Sequence, residues 1–216
     1  MKRCLVVLAA AALVYAGCNS SSSRTTPNVP AKPLPNGMAG VGPGGVVTLN
    51  GENTKIALAA GSHTGGFKSL EGKIKMMQMS PGKSPPADER GMVLGIDVDV
   101  DAASLSTDDE KLTAQLKDDA LKVKENPKIT FTSTKVRTPD GKEDQMEVTG
   151  DLSVAGKKKS ITFPVKASKE RGFYLTGNFK LSRKELGMTS NPPQGKLDDE
   201  ISVTVTVGVD PNAKTD

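Results

Sequence analysis

The sequence predicts an all-β domain, either a sandwich or a barrel of antiparallel strands. Apolar and polar residues alternate in several separate runs, such as Ile96, Val98 and Val100 or the long run from Ile201 to Val209. Strict alternation is typical of strands with one buried and one solvated face, as in an antiparallel sheet. The runs are separated by turn-forming residues, and Pro139-Asp140-Gly141 is the clearest such turn.

Residues 1–17 have the architecture of a secretory signal peptide. Lys2 and Arg3 precede an apolar run from Leu5 to Val14, which is too short for an ordinary transmembrane helix. The following Tyr-Ala-Gly-Cys ending resembles the bacterial lipobox, in which the cysteine is acylated. We therefore predict that Cys18 is lipidated and that the protein is anchored in the outer membrane, on the periplasmic side of the cell envelope. The alternative is an ordinary signal peptide cleaved after Ala16.

Residues 18–45 comprise this cysteine and a predicted disordered linker. Ser, Pro and Gly occupy 14 of positions 19–45, and no hydrophobic periodicity is present. Such a segment buries too little apolar surface to offset the entropy of ordering it. The folded domain is predicted to span residues 46–210, and residues 211–216 form a short tail.

Within the domain, apolar residues at every second position define the predicted inward faces. Besides the two runs above, these sets are Ile56 and Leu58; Leu70, Ile74 and Met76; Ile129 and Phe131; Met146 to Val154; Ile161 to Ala167; and Phe173 to Leu181. One segment departs from the alternation. Thr107 and Glu110 have capping-box spacing, and Leu112 and Leu116 follow at a helical interval, so a short helix is predicted over 107–120. The lysines at 157–159 are predicted to form a hairpin turn, with contact to anionic lipid head groups as the alternative.

The composition argues against most kinds of functional site. The two cysteines, Cys4 and Cys18, precede the domain and provide neither a disulfide framework nor a zinc cluster. Aromatic residues make up only 3% of the chain and Trp is absent, which disfavours stacking surfaces for nucleic acid. Asp97, Asp99 and Asp101 share one strand face but lack the glycine and distal glutamate of an EF-hand loop, so a solvated face is predicted. We predict no metal, no cofactor and no nucleic-acid partner.

Six stretches together resemble the YceI-like family of exported bacterial proteins. They lie, in matching order and spacing, at 61–74, 104–116, 126–136, 148–165, 181–188 and 198–207. The resemblance implies a lipocalin-like, eight-stranded antiparallel barrel with one helix around a long apolar channel. Characterised members bind isoprenoid chains, quinones or other amphiphiles and are not known as enzymes. Ala120, Leu121 and Leu186 stand where members often carry Phe, which leaves the identity of the ligand open.

The candidate site residues are implied by this resemblance. An eight-stranded barrel is just wide enough to be filled by side chains or to hold one small ligand, so apolar lining by itself leaves both interpretations open. The resemblance implies ligand contact for six inward-facing residues. These are Phe67, Ile74, Met76, Phe131, Phe163 and Phe179.

His63, the single histidine, lies in a Gly-flanked segment. We predict either a contact with a ligand head group at the barrel mouth or a structural role in a bend. A catalytic pairing with Ser62 is disfavoured, because adjacent side chains on a strand point to opposite faces.

The predicted function is non-enzymatic binding, carriage or storage of a long-chain amphiphile in the cell envelope, the ligand being a polyisoprenoid, a quinone or a similar lipid. One alternative is stress-associated sequestration of assorted hydrophobic compounds. Another is a structural envelope protein with a filled barrel. The oligomeric state is not predicted.

Overall fold

The computed structural model describes residues 39–42, 45–76, 93–139, 142, 144–169, 173–188 and 197–214. The signal segment, Cys18 and most of the predicted linker lie outside these residues, as does the turn at 140–141. Among the described residues, none of the helices combines the length and the apolar composition needed to span a bilayer.

Twelve strands and one short helical segment make up the described chain. The strands are β1 (Ala39–Gly42), β2 (Val46–Asn50), β3 (Thr54–Ala60), β4 (His63–Phe67), β5 (Leu70–Met76), β6 (Val93–Asp101), β7 (Leu105–Thr107), β8 (Lys128–Arg137), β9 (Gln145–Val154), β10 (Lys157–Ser168), β11 (Phe173–Ser182) and β12 (Glu200–Lys214). A 3₁₀ turn (Ala102–Ser104) separates β6 from β7, and helix α1 (Glu110–Gln115) continues into a π-helical turn (Leu116–Ala120).

The strands form one sheet in which neighbours along the chain are mostly neighbours in space. β2 and β3, β4 and β5, and β6 and β7 are each one run of chain divided by a bend. If each of these three pairs is counted as one long strand, the sheet contains eight long strands and the short strand β1. The predicted all-β fold with one short helix is confirmed, and the strand count differs from eight for this reason.

Pairing of the last strand with the first run closes the sheet. The order β2-β5-β6-β8-β9-β10-β11-β12 continues from β12 to β3, where Val205 lies opposite Ile56. β1 bridges the same seam at the other end, because it pairs with both β2 and β12. β1 lies within the segment predicted as linker, and β12 extends to Lys214, past the predicted end of the domain at 210.

Two local features differ from the sequence-based expectation. The helix begins at Glu110, and its cap is Asp109, whose carboxylate accepts hydrogen bonds from the N–H groups of Lys111 and Leu112. The predicted cap, Thr107, instead ends β7 and exchanges hydrogen bonds through its hydroxyl with Asp109 and Thr113. Asp can cap as well as Thr, and spacing alone did not distinguish the two.

The three lysines at 157–159 begin β10 and do not form the turn. The turn is Ala155-Gly156, with φ of 49° and 75°, the left-handed backbone that two-residue hairpins of type I′ require. Lys158 forms an ion pair with Asp151 across the hairpin, and Lys159 pairs with Glu185. These two lysines therefore already have protein partners on the outer surface.

Candidate functional site: an apolar cavity in one half of the barrel

The inward side chains of the strands are not equally buried along the barrel. At the end where β2 begins and β12 ends, the inward side chains are buried and pack against one another. We call this group the plug. It consists of Val47, Met76, Val93, Met146, Val148, Phe173 and Val209. The plug fills this end as an ordinary protein core does.

Between the plug and the helix end, several inward side chains are only partly buried. Ile56, Val98, Phe131 and Val205 alternate with outward residues as expected for a barrel interior, yet each retains accessible surface. The reason is that they border a cavity of about 240 Å³. An apolar cavity of ~150 Å³ already suffices to bind benzene in a protein core. This half of the barrel therefore has room for a ligand, whereas the plugged half has not.

Three phenylalanine rings form a row across the cavity wall. The ring centroids of Phe131 and Phe163 are 5.5 Å apart, and those of Phe163 and Phe179 are 4.6 Å apart, both in tilted arrangements. Two inward-facing glycines make room for the rings: a β-carbon on Gly150 would lie 2.5 Å from Phe131 Cζ, and one on Gly177 would lie 3.1 Å from Phe163 Cε2. Such tilted pairs stabilise each other beyond simple burial, by ~0.5–1.5 kcal/mol each.

The helical segment covers the other end of the cavity. Leu112 and Leu116, one helical turn apart, face the cavity together with Ala120 and Leu121. The i, i+4 spacing seen in the sequence is thus the apolar face that a surface helix turns towards the interior. The spacing predicted this helix but did not assign it to the site.

Polar groups border the cavity mainly at the helix end, where His63 lies. The His63 ring nitrogen Nδ1 is 3.3 Å from Asp108 Oδ1, and the side chains are 29% and 39% exposed. Asp108 also accepts a hydrogen bond from the Thr64 N–H at 3.0 Å and donates its own N–H to the Thr64 carbonyl. These bonds hold the start of the helical segment against β4, and His63 takes part in them at the edge of the cavity.

The environment of Asp108 shifts its titration. Partial burial tends to raise the pKa of the carboxyl, but the hydrogen bond from the Thr64 N–H and the contact with the His63 ring outweigh that effect. The pKa of Asp108 therefore lies below its usual value, and the carboxylate stays ionised over the physiological range.

Arg183 is a second polar residue on the cavity wall. It is only 5% exposed, and its Nη1 donates hydrogen bonds to the carbonyls of Leu197 at 3.0 Å and Asp198 at 3.4 Å. Asp199 holds the same corner, because its carboxylate accepts bonds from the Lys184 N–H and the Ser182 hydroxyl. The Lys184 bond is the main reason that the pKa of Asp199 is lowered. This network joins the residues that directly follow β11 to residues 197–199, which directly precede β12.

The cavity wall contains most of the predicted site residues. Phe67, Ile74, Phe131, Phe163, Phe179 and His63 all line it. Met76 does not: it is buried in the plug, opposite Val93. Sequence reasoning did not assign Arg183, Leu186, Met188 and Leu197 to the site, although Leu186 was noted as a position where family members often carry Phe. All four line the cavity, from the residues that follow β11 and precede β12. These four lack strand alternation, so no periodic signal pointed to them.

The match to a family model agrees with this architecture. A model of the YceI-like domain matches residues 47–209. The chain belongs to this family. Its curated relatives include the protein YceI of Escherichia coli O157:H7, which is 29% identical over 149 residues, covering 64% of this chain and 71% of the relative.

Solved structures show the same YceI-like fold. BcnA of Burkholderia cenocepacia has a TM-score of 0.57 and 20% identity, and the match covers 71% of this chain and 94% of that one. The Campylobacter jejuni YceI protein has a TM-score of 0.53 and 26% identity, with 66% of this chain and 81% of that one covered. At 20% identity, the similarity to BcnA shows a shared fold and nothing more.

The acidic face on β6 of this YceI-like domain is part of an ion-pair network. Lys128 Nζ lies 3.0 Å from Asp99 Oδ2 and 3.2 Å from Glu71 Oε1, and the hydrogen bond with Asp99 is the main reason that its pKa is raised. Asp101 caps the 3₁₀ turn by accepting from the Ala103 N–H. No group of three or more potential metal ligands occurs among the residues that the structure describes.

We expect the contribution of Asp108 to stability to depend on pH. A carboxylate whose pKa is lowered in the folded state stabilises the protein fully above its unfolded pKa, near 3.8, and loses that contribution as pH falls through the folded value. Asp108→Asn should therefore lower the urea midpoint at pH 7, and the difference from wild type should shrink by pH 3. Urea titrations of both proteins at the two pH values measure this. A difference that is independent of pH would contradict the role of the ionised carboxylate.

Proposed function

We propose that this YceI-like protein binds a long-chain amphiphile without catalysis and carries or stores it in the cell envelope. The observation that supports the proposal most strongly is the apolar cavity enclosed by the helix half of the barrel. Each CH₂ group that moves from water into such a cavity contributes ~0.8 kcal/mol, so an alkyl or prenyl chain gains affinity along its length. Polyisoprenoids, quinones and similar lipids have chains of this kind.

The distribution of polar groups supports one orientation of the ligand. Near the floor Thr54 is the polar lining residue within the described chain, and its hydroxyl already donates to Asn53 Oδ1, whereas His63, Thr64, Thr107 and Arg183 lie at the helix end. An amphiphile therefore binds with its chain directed towards the plug and its polar group near His63. The reverse orientation would bury a polar head group without hydrogen-bond partners, which is costly.

The site geometry favours binding over catalysis. His63 has Asp108 as its partner, which resembles the base and orienting carboxylate of a catalytic triad. Sequence-adjacent Ser62 lies in the turn between β3 and β4 and is absent from the cavity lining within the described chain. The alternative of a filled structural barrel accounts for the plug but leaves the cavity without a role.

We expect Phe131→Trp to weaken binding of a fluorescent prenyl probe by about tenfold or more. The larger ring occupies space in which the chain would lie, whereas the open cavity absorbs the added volume and stability changes little. In a filled core the same substitution would cost ~1–3 kcal/mol of stability. The measurement is the probe Kd together with the urea midpoint.

Thr132→Val is the control for this experiment, because Thr132 points outward on the same strand and is exposed. It should change neither quantity by much. A wild type that binds no probe, together with a clearly destabilised Phe131→Trp protein, would indicate a solid interior and refute the proposal.

We also propose that Cys18 is acylated and tethers the domain to the outer membrane. The support is the Ala-Gly-Cys junction after the apolar run. Expressed in a bacterial host that processes lipoproteins, the wild type should enter the detergent phase on Triton X-114 partitioning, and Cys18→Ser should move to the aqueous phase. Recovery of the wild type from the aqueous phase would exclude the lipid anchor.

A further inference from the structure

We propose that the plug limits the ligand to a chain of about two to four isoprene units, or an alkyl chain of similar size. The proposal rests on the binding function above and specifies its ligand. A long polyprenyl chain of eight or more units would then be excluded from the barrel. The resemblance to the family had implied a long channel, whereas this chain has a cavity closed at one end.

The first argument is the size of the cavity. A cavity of ~150 Å³ holds one benzene, which has six carbons, so the cavity of about 240 Å³ holds on the order of ten carbons. Two to four isoprene units have about ten to twenty carbons, which is of this order. Eight units have about forty carbons, roughly four times the capacity.

The second argument is the sharp boundary between cavity and plug. On β12, Val207 lines the cavity, and Val209, the next inward residue, belongs to the plug. Across the sheet Val209 lies opposite Phe173, and Met146 lies opposite the cavity residue Val165. The floor is therefore one layer of paired strand residues.

The third argument is that the plug is firmly packed. Its residues come from strands all round the barrel, and Val47, Val148 and Val209 have no accessible surface. A longer chain would have to displace these side chains from a core packed at ordinary protein density. Surplus isoprene units would instead protrude at the helix end into water and add no affinity.

A chain-length series on the full mature protein tests the proposal. Geraniol, farnesol, geranylgeraniol and solanesol have two, three, four and nine isoprene units, and each can be delivered from cyclodextrin in calorimetric titrations. We expect the Kd to fall from geraniol to farnesol or geranylgeraniol. For solanesol we expect no further fall in Kd, because its surplus units stay in water.

Variants at Met146 test whether the plug is the cause. Met146→Ala removes side-chain atoms from the floor, so it should lower the Kd of geranylfarnesol, with five units, relative to that of farnesol by threefold or more. Met146→Leu keeps the volume of the side chain and should leave this ratio unchanged. If Met146→Ala does not fold, the smaller truncation Val209→Ala opens the same layer.

Each outcome separates the two proposals. If no alcohol of any length binds, the binding function itself fails. If solanesol binds at least tenfold more tightly than geranylgeraniol, the binding function stands and the length limit is overturned. If the wild type shows the length limit but a folded floor variant leaves the ratio unchanged, the plug is not what sets it.

Discussion

Replacing Phe173 with Ala is expected to lower the free energy of unfolding by ~3–5 kcal/mol, whereas Phe179→Ala should cost clearly less. Phe173 is buried in the plug opposite Val209, so its removal leaves a void among packed side chains. Phe179 borders the cavity and is already partly accessible, so its removal mainly enlarges existing space. The loss for Phe173 would be a large share of the ~5–15 kcal/mol typical of a folded domain.

The two variants are a matched pair, because the same ring is removed from the same strand, β11. Urea unfolding of both proteins and the wild type, with the m-values compared, gives the two losses. The Phe179→Ala protein also loses the ring contact with Phe163, which is the main part of its expected cost. Equal losses at the two positions would argue against a barrel with one filled and one open half.

Gly150→Ala is expected to destabilise the fold by at least ~1–3 kcal/mol, the usual cost of adding volume at a well-packed position. The added methyl group would lie 2.5 Å from Phe131 Cζ and 2.6 Å from the Thr132 carbonyl oxygen. The ring has some freedom to move into the cavity, but the backbone carbonyl has much less. The expected loss therefore includes a displacement of β8 against β9.

Gly95→Ala provides the comparison for Gly150→Ala. A β-carbon at Gly95 would have one contact, at an ordinary 3.6 Å from Ser133 Oγ. Because alanine restricts the unfolded chain more than glycine does, Gly95→Ala should leave the free energy of unfolding unchanged or raise it by up to ~1 kcal/mol. Denaturant midpoints of the two variants test the contrast. If Gly150→Ala is as stable as Gly95→Ala, the inference that Phe131 packs closely against Gly150 on β9 is refuted.

Alternation allowed the inward faces to be predicted, because the two-residue period of a strand is a local property of the sequence. Phe131 and Phe163 were assigned to the interior on that basis, and both line the cavity. The helix was found for the same reason, from the spacing of Leu112 and Leu116. Features that depend on periodicity alone were therefore predictable to within a few residues.

The division of the interior into filled and open halves was not predictable. Met76 and Ile74 have the same inward phase on β5, yet Ile74 faces the cavity and Met76 lies in the plug. The difference depends on which side chains of distant strands face each residue across the barrel. The local sequence pattern does not determine this. The contact between His63 and Asp108, 45 residues apart, depends on tertiary structure in the same way.

Closure of the barrel by β12 has a consequence for the order of folding. Ile56 pairs with Val205, 149 positions further along the chain, and this seam joins the first run of the barrel to the last. The hairpins from β8 to β12 are local and can form early, but β3 has no partner on that side until nearly the whole domain has been synthesised. A nascent chain thus carries an unpaired apolar edge until the last strand docks, which makes closure the expected slow step and the stage most exposed to aggregation.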